Sequence, residues 1–312
     1  MSSTFHSPVL VSEVLNGLIT DRDGIYLDAT VGGGGHAKAI LSGLSERGRL
    51  IGLDRDPAAI RVAAESLRGY GDRAILRQEV FWRLGALLRD LNVPKIDGAL
   101  FDLGVSSHQI DDPDRGFSYR RDGPLDMRMG EAGRSAQDIV NAAPYEDLLR
   151  IFRDYGEERR AAPIARAICA GREQGPILRT GELAALIRSV IPPDQPQKTL
   201  SRIFQAIRIE VNAEIEHLRE ALRQAIEALR VGGRIGVISY HSIEDRTVKT
   251  AFSEGVQGCI CPPDFPICRC GRRATLKFVL GKRGKRPGPE EIALNPRARS
   301  ATLRVVEKIK NQ

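Results

Sequence analysis

Residues Ile25 to His36 read IYLDATVGGGGH: an apolar run ends at Asp28 and is followed within four residues by four consecutive glycines. Ile25, Leu27 and Ala29 alternate with more polar neighbours, which is the period of a strand. From Ala37 to Leu44 (AKAILSGL) apolar residues return at helical spacing, so the glycines lie between a strand and a helix. Glycine permits positive φ and lets a ligand approach the backbone closely. A helix starting just beyond presents unpaired N–H groups and a positive dipole end, which suit the polar or anionic parts of a nucleotide-like ligand. The glycines alone do not choose that ligand, because Gly32, Gly34 and Ala37 also satisfy the G-x-G-x-x-G/A dinucleotide pattern.

Working outward, Val9 to Leu18 reads as a short helix leading into this strand, and Leu50 to Leu53 as a second buried strand ending in Asp54. An acid there, twenty-one residues beyond Gly33, is placed for ribose hydroxyls. Asp56-Pro57 caps a helix through Leu67, Ala74 to Val80 is a third strand, and Phe81-Trp82 follow it. Phe81 is a candidate to stack on an adenine, whereas Trp82 reads as a core anchor. Ile96 to Leu103 (IDGALFDL) is apolar on both faces, as central parallel strands are, and delivers Asp102 to the sheet's carboxyl edge. Ligands of open α/β sheets bind along that edge.

The alternation then stops. A charged loop and helical segments at Tyr145 to Asp154, Glu158 to Ala170, Glu182 to Ile191 and from Lys198 predict an all-helical insertion, broken near its end by Pro192, Pro193 and Pro196. Val211, Ile215, Leu218, Leu222, Ile226 and Leu229 predict one amphipathic helix lying on the sheet and ended by Gly232-Gly233. Arg234 to Tyr240 is the fifth strand, and Leu276 to Leu280 with Thr302 to Glu307 would close the sheet as an antiparallel edge. The expected division is residues 1–112, a helical insertion at 113–205 for substrate recognition, and 206–312.

The chain has 312 residues, 42% of them hydrophobic, enough for a proper core. Its start, MSSTFHSPVL, has neither a basic n-region nor an apolar h-region, and no run of about 18 apolar residues occurs, so a cytoplasmic protein without a membrane partner is expected. Of the net charge of +7, residues 269–312 hold 13 Lys or Arg against three acids, a local +10 that leaves −3 for the rest. That end is a candidate nucleic-acid surface, with Lys282 to Gly288 expected as a flexible loop tracking phosphates.

Together several motifs resemble one family, the bacterial small-subunit rRNA cytosine-N4 methyltransferases (RsmH/MraW), which use S-adenosylmethionine. They are His6 to Leu10 (HSPVL), Asp28 to Thr30 with the glycines and His36, Asp54 to Pro57 (DRDP), Asp102 to Ser107 (DLGVSS), Arg115 to Ser118 (RGFS), Asp122 to Met129 (DGPLDMRM), Tyr240 to Arg246 (YHSIEDR) and Asn295 to Ser300 (NPRARS). Their order covers nearly the whole chain. The resemblance implies a class I, Rossmann-like methyltransferase sheet with an inserted all-helical domain, acting on a cytidine of the 16S rRNA decoding region. It implies 16S rRNA or the small ribosomal subunit as partner, and the sequence leaves a homodimer open. It places cofactor contacts at Gly34, Gly35, His36, Asp54, Phe81, Asp102 and Gln109, the last on the resemblance alone.

Methyl transfer to an exocyclic amine needs alignment and removal of one proton, not a covalent nucleophile. Asp102, or carbonyls of Leu103 to Ser106, are the candidate acceptors. DLGVSS lacks the prolines and aromatic usual in amino-group methyltransferases, so a stacking ring would come from Phe117, Tyr119 or Tyr240. His241, after the fifth strand, is a second catalytic candidate, as proton shuttle or substrate contact, with a buried hydrogen-bonding role as the competing reading. A nicotinamide-dependent oxidoreductase and a noncatalytic RNA-binding assembly factor are the rival classes.

No catalytic metal is expected. Cys259, Cys261, Cys268 and Cys270 bring four thiols into twelve residues. Reduced cysteines or a redox-labile disulfide pair are the first reading, because C-x-C pairs are less usual than C-x-x-C knuckles, and a structural zinc clasp is the alternative.

Overall fold

The computed structural model describes residues 8–104, 112–130, 133–194, 196–259, 261–262, 267 and 269–311. Two compact units emerge, one spanning Val105–Glu214 and the other Phe5–Gly104 with Ile215–Gln312.

The larger unit is a seven-stranded sheet. Its strands are β1 (Ile25–Asp28), β2 (Arg49–Asp54), β3 (Ala74–Gln78), β4 (Ile96–Asp102), β5 (Leu229–Ser239), β6 (Leu276–Phe278) and β7 (Thr302–Lys308), in the order β3-β2-β1-β4-β5-β7-β6. The first five are parallel, and β7 enters antiparallel between β5 and β6. That is the class I methyltransferase sheet the resemblance implied. Connections leave β1 toward β2 on one side while β4 flanks it on the other, so the carboxyl ends of β1 and β4 border the point where strand order reverses, the place where such sheets bind ligands.

Continuous apolar strands follow from burial of both faces. Leu27, Phe101 and Val237 face one core, shared with Leu218, Leu222 and Ala225 of the helix Glu214–Ala228 and with Phe252. Tyr26, Leu100 and Ile238 face the other, shared with Val14 and Leu18 of the helix Val11–Leu18 and Ile40 of the helix Gly35–Gly43. The amphipathic helix therefore lies on the sheet as its spacing predicts.

Several boundaries differ from the sequence reading by a few residues, and two of the differences have a clear local cause. The helix does not run unbroken from Val211: Ala213 takes φ 46 between helices Pro196–Asn212 and Glu214–Ala228. The Asn212 amide is drawn away, accepting from the Met129 N–H at 2.8 Å and donating to the Met127 carbonyl at 2.9 Å. Gly232 and Gly233 do not end the helix either; it stops at Ala228, and they lie inside β5. Ile96 pairs with Leu229 but Gly98 with Arg234, so residues 230–233 are absorbed as an irregularity, which φ 86 at Gly232 accommodates.

The smaller unit has its own core, including Ile151, Ile164, Leu183, Ile203 and Phe204. The DGPLDMRM stretch belongs to it: Leu125 and Met127 are buried, and Gly123 packs so closely on Pro113 that any side chain would strike its carbonyl. Phe117 and Tyr119 pack against this core, and Tyr119 meets Phe204 edge-on at 5.5 Å. Among the described residues no helix is long and apolar enough to cross a membrane.

Candidate active site

The glycine loop is shaped by what its residues must do. Gly32 and Gly34 take φ 49 and 85, conformations costly for side chains, and a Cβ at Gly32 would meet the Thr30 carbonyl at an unstrained 3.9 Å. Gly34 caps the helix Gly35–Gly43, and a Cβ on Gly35 would press on the Pro8 ring at 3.1 Å. Asp54, at the end of β2, holds this loop: one carboxyl oxygen accepts from the Gly32 N–H at 3.0 Å and the other from the Asp56 N–H at 2.9 Å. Burial raises its pKa against these bonds.

At the end of β4, the Asp102 N–H donates to Thr30 Oγ1 at 2.7 Å, tying this strand to the β1 turn. Its carboxyl Oδ1 accepts from the Tyr240 hydroxyl at 2.9 Å, while Oδ2 faces His36 Nε2 at 3.6 Å. That spacing exceeds a hydrogen bond, and burial drives both groups toward neutrality, so they do not form an ion pair. Burial lowers His36 to about 4. Burial raises Asp102 to about 7, against the Tyr240 bond and helped by the Glu244 charge, although a quarter of its side chain stays open. Asp28 is buried too, its Oδ1 accepting from the Thr30 N–H at 3.2 Å, and burial with the Asp102 and Asp54 charges takes it to about 7.

Three buried atoms here have no hydrogen-bond partner among the described residues: Asp28 Oδ2 and both ring nitrogens of His36. Buried polar atoms are rarely left so, and their position beside the glycine loop marks a place built for a polar ligand. Three crowded carboxyls would repel a pyrophosphate and would welcome a cation bearing hydroxyls. The site therefore fits S-adenosylmethionine, with its sulfonium, ammonium and ribose, better than a dinucleotide.

The other predicted residues fall at varying distances from this centre. Phe81 sits in a short 3₁₀ turn after β3, edge-on to Trp82 at 5.4 Å and to Phe101 at 6.2 Å, half-buried on the core. Trp82 stacks flat on His217 at 3.5 Å. His241 is the cap of the helix Ser242–Val256, its Nδ1 accepting from the Glu244 N–H at 3.3 Å and its Nε2 lying 3.1 Å from Glu244 Oε1 in poor hydrogen-bond alignment. Glu244 in turn accepts from the Tyr240 N–H at 2.8 Å, so the described contacts link His241 to Asp102 through Glu244 and Tyr240. Asp245 is committed elsewhere, in a bidentate pair with buried Arg304 at 2.7 and 2.8 Å. Gln109, with the rest of residues 105–111, lies outside the described residues.

Asp28, Thr30 and the Tyr240–Asp102 bond were not read as site features from sequence. The available signals were a charged residue at the end of a buried strand, at Asp28, and the motifs Asp28 to Thr30 and Tyr240 to Arg246 that carry the family resemblance. The basic stretch also differs from expectation: Lys285 and Leu303 exchange both backbone hydrogen bonds at 2.8 Å, so it is a pinned turn carrying Lys282, Arg283, Lys285 and Arg286, not a loose loop.

Comparison with known proteins converges on one group. The model of the MraW methylase family matches residues 3–309. Ribosomal RNA small subunit methyltransferase H of Heliobacterium modesticaldum is 51% identical over 313 residues, covering 98% of this chain and 99% of that protein. The proteins of the same name from Syntrophotalea carbinolica and Clostridium botulinum strain Loch Maree are 47% and 45% identical, each covering 97% of this chain and 98% or more of their own length.

Proposed function

The chain belongs to the MraW methylase family, and on that premise we propose that it is an S-adenosylmethionine-dependent methyltransferase of small-subunit rRNA, acting on the N4 amine of a cytidine in the decoding region. The observation that carries the chemistry is the Asp102 carboxyl, fixed at its backbone by Thr30 and at Oδ1 by Tyr240, with Oδ2 turned toward the orphaned His36.

When bound, S-adenosylmethionine supplies a methyl group on a sulfonium, and its transfer to an amine leaves one proton to be removed. Gly34, Gly35 and His36 would hold the cofactor, with neutral His36 offering one donor and one acceptor. Asp54 keeps free lone pairs beyond its two backbone bonds for ribose hydroxyls, and Asp28 offers its unpaired oxygen to positive charge. Phe81 would meet the adenine, and the family resemblance assigns Gln109 a further cofactor contact. Asp102 accepts the N4 proton; a carboxyl near pKa 7 is a competent acceptor at neutral pH. His241 acts as a positioning residue, its Nδ1 fixing the backbone of Glu244, whose carboxylate holds the Tyr240 N–H.

The helical unit, as an RNA-recognition domain, and the basic turn at Lys282–Arg286 supply the substrate surface, the latter through phosphates. The protein works in the cytoplasm on 16S rRNA or the assembling subunit. Mass-spectrometric mapping of 16S rRNA from cells lacking the protein tests this reading: loss of one methyl from a single cytidine N4 is expected, and an unchanged map overturns it.

A further inference from the structure

Neither the fold nor the methyl-transfer site accounts for the cysteines that follow the helix Ser242–Val256. That segment is closed at its base where the Thr275 N–H donates to the Gly255 carbonyl at 2.8 Å and the Thr275 hydroxyl reaches the same carbonyl at 3.4 Å. Just inside this neck, the sulfurs of Cys259, Cys261 and Cys270 lie within 4.8 Å of one another. Cys268 lies outside the described residues.

The spacing of these sulfurs excludes a disulfide and suits a shared metal ion. Cys259 and Cys270 sulfurs stand 3.7 Å apart, far beyond the roughly 2.05 Å of a disulfide. Sulfurs bound at ~2.3 Å to one tetrahedral zinc would lie about 3.8 Å apart, which the pair already matches. Backbone N–H groups also point at sulfur: Cys261 N–H donates to Cys259 Sγ at 3.4 Å, and Arg269 N–H to Cys261 Sγ at 3.3 Å. Such donors hold the Cys259 and Cys261 sulfurs in place.

We propose that Cys259, Cys261 and Cys270 form a structural zinc site that clasps the neck of this segment. The fourth position belongs to water or another donor. The metal has no part in methyl transfer; it fixes the spacing of the arginines that follow Cys268.

The test uses the full chain, purified under reducing conditions without a metal-affinity step. Elemental analysis should find about one zinc per chain. Replacement by Co2+ should give thiolate-to-cobalt charge-transfer absorption and the intense visible bands of tetrahedral cobalt. Cys259→Ser and Cys270→Ser should each weaken zinc binding by roughly 10- to 100-fold, read by competition with a chromophoric chelator, while Cys169→Ser leaves it unchanged. Zinc well below stoichiometry with all thiols reactive overturns the proposal. So does a Cys259–Cys270 disulfide in metal-free protein, or cobalt spectra without thiolate bands. The cobalt spectrum of the unaltered chain decides the matter even if the serine variants fail to fold.

Discussion

The two ends of the sheet treat buried charge in opposite ways. At the carboxyl ends of β1, β2 and β4, Asp28, Asp54 and Asp102 share a crevice with the neutral His36, 3.6 Å from Asp102, and burial raises all three carboxyls. Around β5 and β7, charges are matched instead: Arg304 is bidentate to Asp245, and Arg234 meets Glu307, which also meets Lys277. Lys308 donates to the carbonyls of Ile226, Glu227 and Leu229, satisfying the end of the helix Glu214–Ala228. A paired buried charge holds the fold together, whereas an unpaired one costs stability and persists where a ligand completes it.

The contrast breaks most directly at Asp102. Asp102→Ala should cut methylation roughly 100- to 10,000-fold while leaving RNA affinity in a filter assay nearly intact; full turnover would remove Asp102 from the chemistry. Because the carboxyl must be ionised to accept a proton, activity of the unaltered enzyme should rise with pH through about 7. At the matched end, Arg304→Met strands Asp245 and should cost about 3 kcal/mol in urea unfolding, and adding Asp245→Leu should recover much of it.

Asp28 should respond with the opposite sign. Its carboxyl ionises near 3.8 unfolded but near 7 in the fold, so its favourable contribution is present below 3.8 and is lost as pH rises through 7. At pH 8, Asp28→Asn should therefore stabilise the ligand-free protein by about 1–2 kcal/mol yet weaken S-adenosylmethionine binding. A destabilised variant would place Asp28 with the structural charges. The smallest effect belongs to the basic turn: serine at Lys282, Arg283, Lys285 and Arg286 should weaken RNA binding and lower its salt slope by roughly 0.7 for each phosphate that is no longer neutralised, with kcat unchanged.

Much of this was legible in the chain because strand ends and periodicity are local. The apolar runs placed Asp54 and Asp102 at one edge, and the glycines placed the loop between them. What stayed hidden depends on distant partners. Nothing near Asp245 announces Arg304, fifty-nine positions later, nor does Asp102 announce Tyr240. The break at Ala213 was invisible because alanine favours helix, and the Asn212 amide that ends it bonds across to residues 127 and 129. Asp28 read as the polar end of a strand; only burial shows that one of its oxygens is left unmatched.

The position of β7 has a consequence during synthesis. It emerges from the ribosome after the six other strands of the sheet, yet it lies inside that sheet, and its Lys308 closes a helix made some eighty residues earlier. Until it arrives, β5 and β6 expose bare edges, and the cofactor crevice rests on a sheet still open at one side. A chain cut short before Thr302 would leave β5 and β6 without the strand that joins them, and limited proteolysis of such a fragment should be faster than that of the intact chain.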